Sequence, residues 1–111
     1  MVPVERLEIA DTLEALRREL EELVVRGVRT ASSADVARLD GTREELARLG
    51  AAHLAERLGT LVDATREDRP EAARALLDAW TTLRVFERVL TLDTVADALA
   101  PPVEDDGEGE A

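Results

Sequence analysis

Apolar residues recur along this chain at intervals of three and four. Ile9, Leu13, Leu16, Leu20, Leu23 and Gly27 follow a 4-3-4-3-4 spacing, which places all six positions on one stripe of a helix. Glu14, Arg17, Arg18, Glu21 and Glu22 occupy the opposite face. Glu14–Arg18 and Glu22–Arg26 stand four apart in the favourable acid-first order, worth roughly 0.2–0.5 kcal/mol each. The pattern predicts a first helix from Val4 to Arg26, with Gly27 as its C-cap. Val24, Val25 and Val28 widen the stripe at its end and predict cover on more than one side there.

Residues 29–33 read as a short loop. Ser33 is the expected N-cap of a second helix, because Val36 opens the next periodic run and Asp35 favours a helix's positive end. That helix uses Val36, Leu39, Leu46 and Leu49 and ends at Gly50. Residues 51–67 restart the pattern with Leu54, Leu58, Leu61 and Val62 inward. Ala51, Ala52, Ala55 and Gly59 are small enough for a close crossing. Gly50 either breaks helices two and three or kinks one long helix; the pattern leaves both open. Residues 67–71 mark a sharp boundary, with Pro70 suited to the first turn of a fourth helix and Glu71 to its N-terminus. Ala73, Leu76, Leu77, Trp80, Leu83, Phe86 and Leu90 form its stripe. Thr91 or Asp93 is expected to start a short last helix over 92–100.

Pro101 and Pro102 stop helical structure, and residues 103–111 hold five acids and almost nothing apolar, the composition of a disordered segment. The expected architecture is all-α: one domain over 1–100, an antiparallel bundle of four to five helices, followed by a disordered acidic C-terminal tail over 101–111. No repeat of solenoid length is present in the sequence.

Charge narrows the functional classes. The 111 residues carry a net charge of −11. Setting aside the tail's five acids leaves −6 for residues 1–100. An acidic domain lacks the cations that neutralise phosphates, so direct nucleic-acid binding is not expected, nor is an anionic membrane surface. All 14 basic residues are arginine, which removes Schiff-base and P-loop lysine chemistry and fits the coding bias of a GC-rich bacterium. There is no cysteine, hence no thiolate ligand, nucleophile or disulfide. No run approaches a membrane span, and an acidic residue interrupts the start before any signal-like apolar core forms. A soluble, cytoplasmic protein is expected.

Candidate chemistry is sparse. His53 and Glu56 form an H-x-x-E pair on one helix face. Di-iron bundles need two such motifs, and the single histidine forbids a second; an exposed or half-buried helix residue explains His53 better. Neighbouring acids such as Glu21–Glu22, Glu44–Glu45 and Asp105–Asp106 point about 100° apart on a helix. They read as solvated faces rather than acid–base dyads. Serine occurs only at 32 and 33, in a capping context. No catalytic residue, cofactor, metal or small-molecule substrate is therefore expected.

The stretch 80–92 holds both aromatic side chains and the densest apolar run. Leu76, Trp80, Leu83, Phe86 and Leu90 make one stripe, while Val85, Val89 and Leu92 make a second. A helix apolar on two faces is either central to its bundle or shared with a partner. Val85, Val89 and Leu92 are the candidate interface for a protein partner or for self-association through the fourth helix.

The segments 19–28 and 46–58 are similar to helical segments that flank SWIM-type zinc-finger domains in GC-rich bacteria, in proteins associated with MoxR ATPases. The resemblance rests on Leu/Ala/Arg/Glu spacing over residues 13–62 and carries over no zinc ligand. It implies a small helical accessory of a multi-component bacterial system. The leading expectation is thus a non-enzymatic interaction module or small accessory subunit. The alternative is an acidic, antitoxin-like inhibitor that masks a basic site on a nucleic-acid-binding partner.

Overall fold

The computed structural model describes residues 4–100, with side chains from residue 7 onward. The described chain is all-helical: α1 (Val4–Arg26), a 3-10 turn (Val28–Thr30), α2 (Ser33–Arg48), α3 (Ala52–Arg66) and α4 (Ala72–Leu99). The tail over 101–111 lies outside the described residues.

Each break has a local cause. At the end of α1, Gly27 takes φ +96° and its N–H donates to the Leu23 carbonyl at 2.7 Å. The cap of α2 is Ser32 rather than Ser33. Asp35 lies three positions after Ser32 but only two after Ser33, and the reciprocal capping box needs three. The Asp35 N–H donates to Ser32 Oγ at 3.1 Å, and the Ser32 N–H donates to Asp35 Oδ2 at 2.9 Å.

Gly50 breaks the chain outright. It sits at φ +95°, its N–H donates to Ala47 and that of Ala51 donates to Leu46, the paired bonds of a Schellman stop. The same pattern closes α3, with Asp68 at φ 51° in the left-handed position. There Asp68 donates to the Thr65 carbonyl and Arg69 to that of Ala64. Pro70 follows this stop instead of entering the first turn of α4, which begins two residues later.

The core is leucine-built. Leu13, Leu16, Leu20 and Leu23 of α1 meet Val36, Leu39 and Leu46 of α2, Leu54, Leu58, Leu61 and Val62 of α3, and Leu76 and Leu83 of α4. Burial of each such side chain contributes about 1.5–3 kcal/mol. α3 packs against both α2 and α4, and α1 against the same two helices.

Three side-chain expectations are corrected. Val24 and Val25 are exposed, not covered. In α4 the inward positions are Ala72, Ala75, Leu76, Ala79 and Leu83, while Ala73 and Leu77 face solvent; buried alanines let α4 lie close to its neighbours. At Gly59 the close neighbour is the Arg43 side chain, 3.3 Å from where a Cβ would stand, and not a second backbone, while Ala52 is exposed.

No second helix starts at Thr91 or Asp93. α4 runs unbroken for 28 residues, about 42 Å at the α-helical rise. Neither Gly nor Pro interrupts it, and the Thr94 hydroxyl donates back to the Leu90 carbonyl at 3.0 Å, the bond of a threonine inside a helix. Along α4 the last buried residue is Leu83; Leu90 is half-buried, and every residue from Thr91 to Ala100 is exposed. The helix therefore outruns its own bundle.

Candidate interface on the fourth helix

α4 packs inward through Leu76, Ala79 and Leu83, with Trp80, Phe86 and Leu90 half-buried against the same core. The Arg84 guanidinium lies over the Trp80 ring at 5.8 Å, and Glu87 ties the helix to α1 through Arg17 at 3.5 Å. Those contacts fix which side of α4 remains open. Val85, Val89 and Leu92 lie on that open side, with 57%, 50% and 60% of their surfaces exposed. A valine or leucine left half in water forfeits about half of its burial free energy, on the order of 1 kcal/mol each.

The open stripe is longer than the three predicted positions. Val85, Val89, Leu92, Ala96 and Leu99 follow a 4-3-4-3 spacing, and Val95 and Leu99 are also exposed. The spacing was present in the sequence; an expected break at Thr91 or Asp93 hid its last turns. Arg88 and Asp93 flank the stripe on its two sides. Both are exposed, and among the described residues neither forms an ion pair.

The other sequence candidates do not converge. His53 and Glu56 stand 3.8 Å apart with side chains 67% and 78% exposed, and among the described residues no cluster of His, Asp and Glu could hold a metal. One open groove of about 580 Å³ lies between the end of α1 and the start of α2. Its charges serve the fold: Asp35 accepts from Ser32 and Arg38, and Arg26 approaches it at 3.4 Å. The Ser32 backbone N–H, with its hydroxyl and the two arginines, holds the Asp35 carboxyl below the usual range. Glu19, on the same groove, is pushed the other way by burial, opposed by a hydrogen bond from Thr42 and by Arg38.

A second groove of about 580 Å³ is lined by Asp40, Arg43, Glu56, Asp63 and Arg66. Arg43 Nε donates to Asp40 at 2.7 Å, and Arg66 approaches the same carboxylate at 3.6 Å. On the far side of α2, the Arg48–Glu45 hydrogen bond lowers the Glu45 carboxyl and raises the guanidinium. These are interhelix and intrahelix ion pairs, with no nucleophile beside a base. No helix among the described residues is long and apolar enough to cross a membrane. No protein-family model, no curated protein and no solved structure matches the chain.

Proposed function

We propose that the protein is a non-enzymatic helical interaction module, a small accessory subunit that docks through the open side of α4. The observation that carries this reading is the run of exposed valines and leucines from Val85 to Leu99, continued past the last core contact of the helix. The nine exposed residues from Thr91 to Leu99 add no buried side chain to the core, and short helical ends fray in water. Apolar residues at regular intervals there make sense when another surface covers them. The connectors 27–32, 49–51 and 67–71 are short, which supports an antiparallel bundle as the scaffold. The acidic segment 101–111 follows α4 directly and keeps the exposed face soluble before docking. In this reading the host system is bacterial and multi-component, of the kind that carries SWIM-type proteins beside MoxR ATPases.

The double substitution Val85→Asp/Val89→Asp tests the reading. Light scattering after size exclusion, together with affinity capture from the native host, should show loss of the assembled species. Far-UV circular dichroism should fall by no more than the share of the last turns of α4, with the bundle helices intact. A wild type that is monomeric and captures nothing, with a double variant that loses its helicity, would place the stripe in the core and sink the idea.

The net charge of −11 favours a second reading, an acidic inhibitor that occupies a cationic site on a nucleic-acid-binding protein. Its capture should weaken steeply with ionic strength. Capture that survives both high salt and deletion of 101–111 excludes it.

A further inference from the structure

We infer that the occupant of the open face is a second copy of this chain, aligned parallel and in register along α4. The inference rests on the docking role proposed above and adds the partner's identity and orientation. In heptad terms, Thr82, Val89 and Ala96 fall at one seam position (a), and Val85, Leu92 and Leu99 at the other (d). A β-branched residue at a with leucine at d favours two parallel strands; Thr82 and Val89 at a, with Leu92 and Leu99 at d, fit that rule, and Val85 at d departs from it.

Charge gives an independent argument. Arg88 and Asp93 stand five residues apart on opposite sides of the seam, too far round one helix to pair with each other. In a parallel in-register pair, the residue before an a position on one helix faces the residue five places on in its partner. Arg88 then meets Asp93 of the second copy, twice by symmetry. An antiparallel pairing sets the Arg88 flank of one helix against the Arg88 flank of the other, so Arg88 and Asp93 never meet and both contacts are lost. Symmetric pairing of one patch with itself is also the commonest way a small protein assembles. The seam from Thr82 to Leu99 covers about 26 Å of helix, short for a coiled coil, so a reversible dimer in the micromolar range is expected.

The chain has no cysteine, so cross-links can be placed one at a time. Val85→Cys and Leu99→Cys, each alone in the full chain under a mild glutathione redox buffer, should both give disulfide-linked dimers. Light scattering on the wild type should show a concentration-dependent dimer. Arg88→Asp or Asp93→Arg alone should weaken it by about five-fold at low salt. An equimolar mixture of the two variants should restore pairing as a heterodimer.

A dimer that links only when Val85→Cys chains are mixed with Leu99→Cys chains would be antiparallel and overturns the inference. A wild type that stays monomeric at all concentrations also overturns it. If Val85→Asp/Val89→Asp then still abolishes binding to another defined protein, the docking role survives with a different occupant. If the substitution instead collapses the helicity, both fall.

Discussion

Ser32 and Asp35 show how two short side chains set a boundary that hydrophobic spacing leaves uncertain by one residue. Their reciprocal hydrogen bonds satisfy two backbone N–H groups at the start of α2. Ser32→Ala should cost about 1 kcal/mol, seen as a fall of roughly 4–8 °C in the thermal midpoint; Ser33→Ala should leave the midpoint nearly unchanged. Glu19 and Asp35 line one groove yet respond oppositely to pH. Asp35 is depressed, so its contribution is present above the carboxylate pKa of the unfolded chain and is lost as pH falls through the folded value. Glu19 is raised, so its contribution is present at low pH and is lost as pH rises through the folded value. Glu19→Gln should therefore be neutral to stabilising at about pH 7 and should flatten the fall in stability above about pH 4. Urea midpoints across that interval check it; a variant clearly weaker than wild type at neutral pH would refute it.

At the scale of elements, the two Schellman stops divide the helices by different means. Gly50 takes its positive φ without strain, whereas Asp68 holds the same role with a side chain at φ 51°. Asp68→Gly should stabilise the protein by about 0.5–1 kcal/mol, and Gly50→Ala should cost about 1 kcal/mol or more; chemical denaturation of both variants reads the pair. Much of the helical layout was legible in the sequence, because α1, α2 and α3 carry dense leucine stripes and each ends at a residue that can adopt a left-handed backbone. What spacing could not show was the rotation of α4 about its axis. Its true inward line includes Ala72, Ala75 and Ala79, and alanine signals neither core nor surface on its own. Leu77 was drawn inward by being a leucine, though the helix phase points it to water. The extent of the open stripe was hidden differently: Thr91 and Asp93 are good cap residues, and only the intact backbone of α4 shows that neither is used as one.

For the whole molecule, α4 has two parts with different surroundings. Its first half is built into the bundle, and its last nine residues are exposed. A chain ending after Thr91 should therefore keep a thermal midpoint within a few degrees of the full protein while losing the proposed assembly. A large loss of stability on truncation would show that residues 92–111 support the fold. The candidate face was recognised in sequence as Val85, Val89 and Leu92 because those residues break the one-sided pattern expected of a bundle helix. Arg88 and Asp93 could not be singled out there, since their meaning depends on which side of α4 the core occupies.

Trp80 sits on the core side of α4, stacked under Arg84, and it is the only tryptophan in a chain with no tyrosine. The protein's intrinsic fluorescence thus reports from a single point inside the bundle and is blind to the last turns of α4. Far-UV circular dichroism, by contrast, sums over every helical residue. On dilution, the dichroism signal should decline as the last turns of α4 lose the proposed partner and unwind, while the emission maximum stays fixed. The two signals should move together only once the leucine core itself melts.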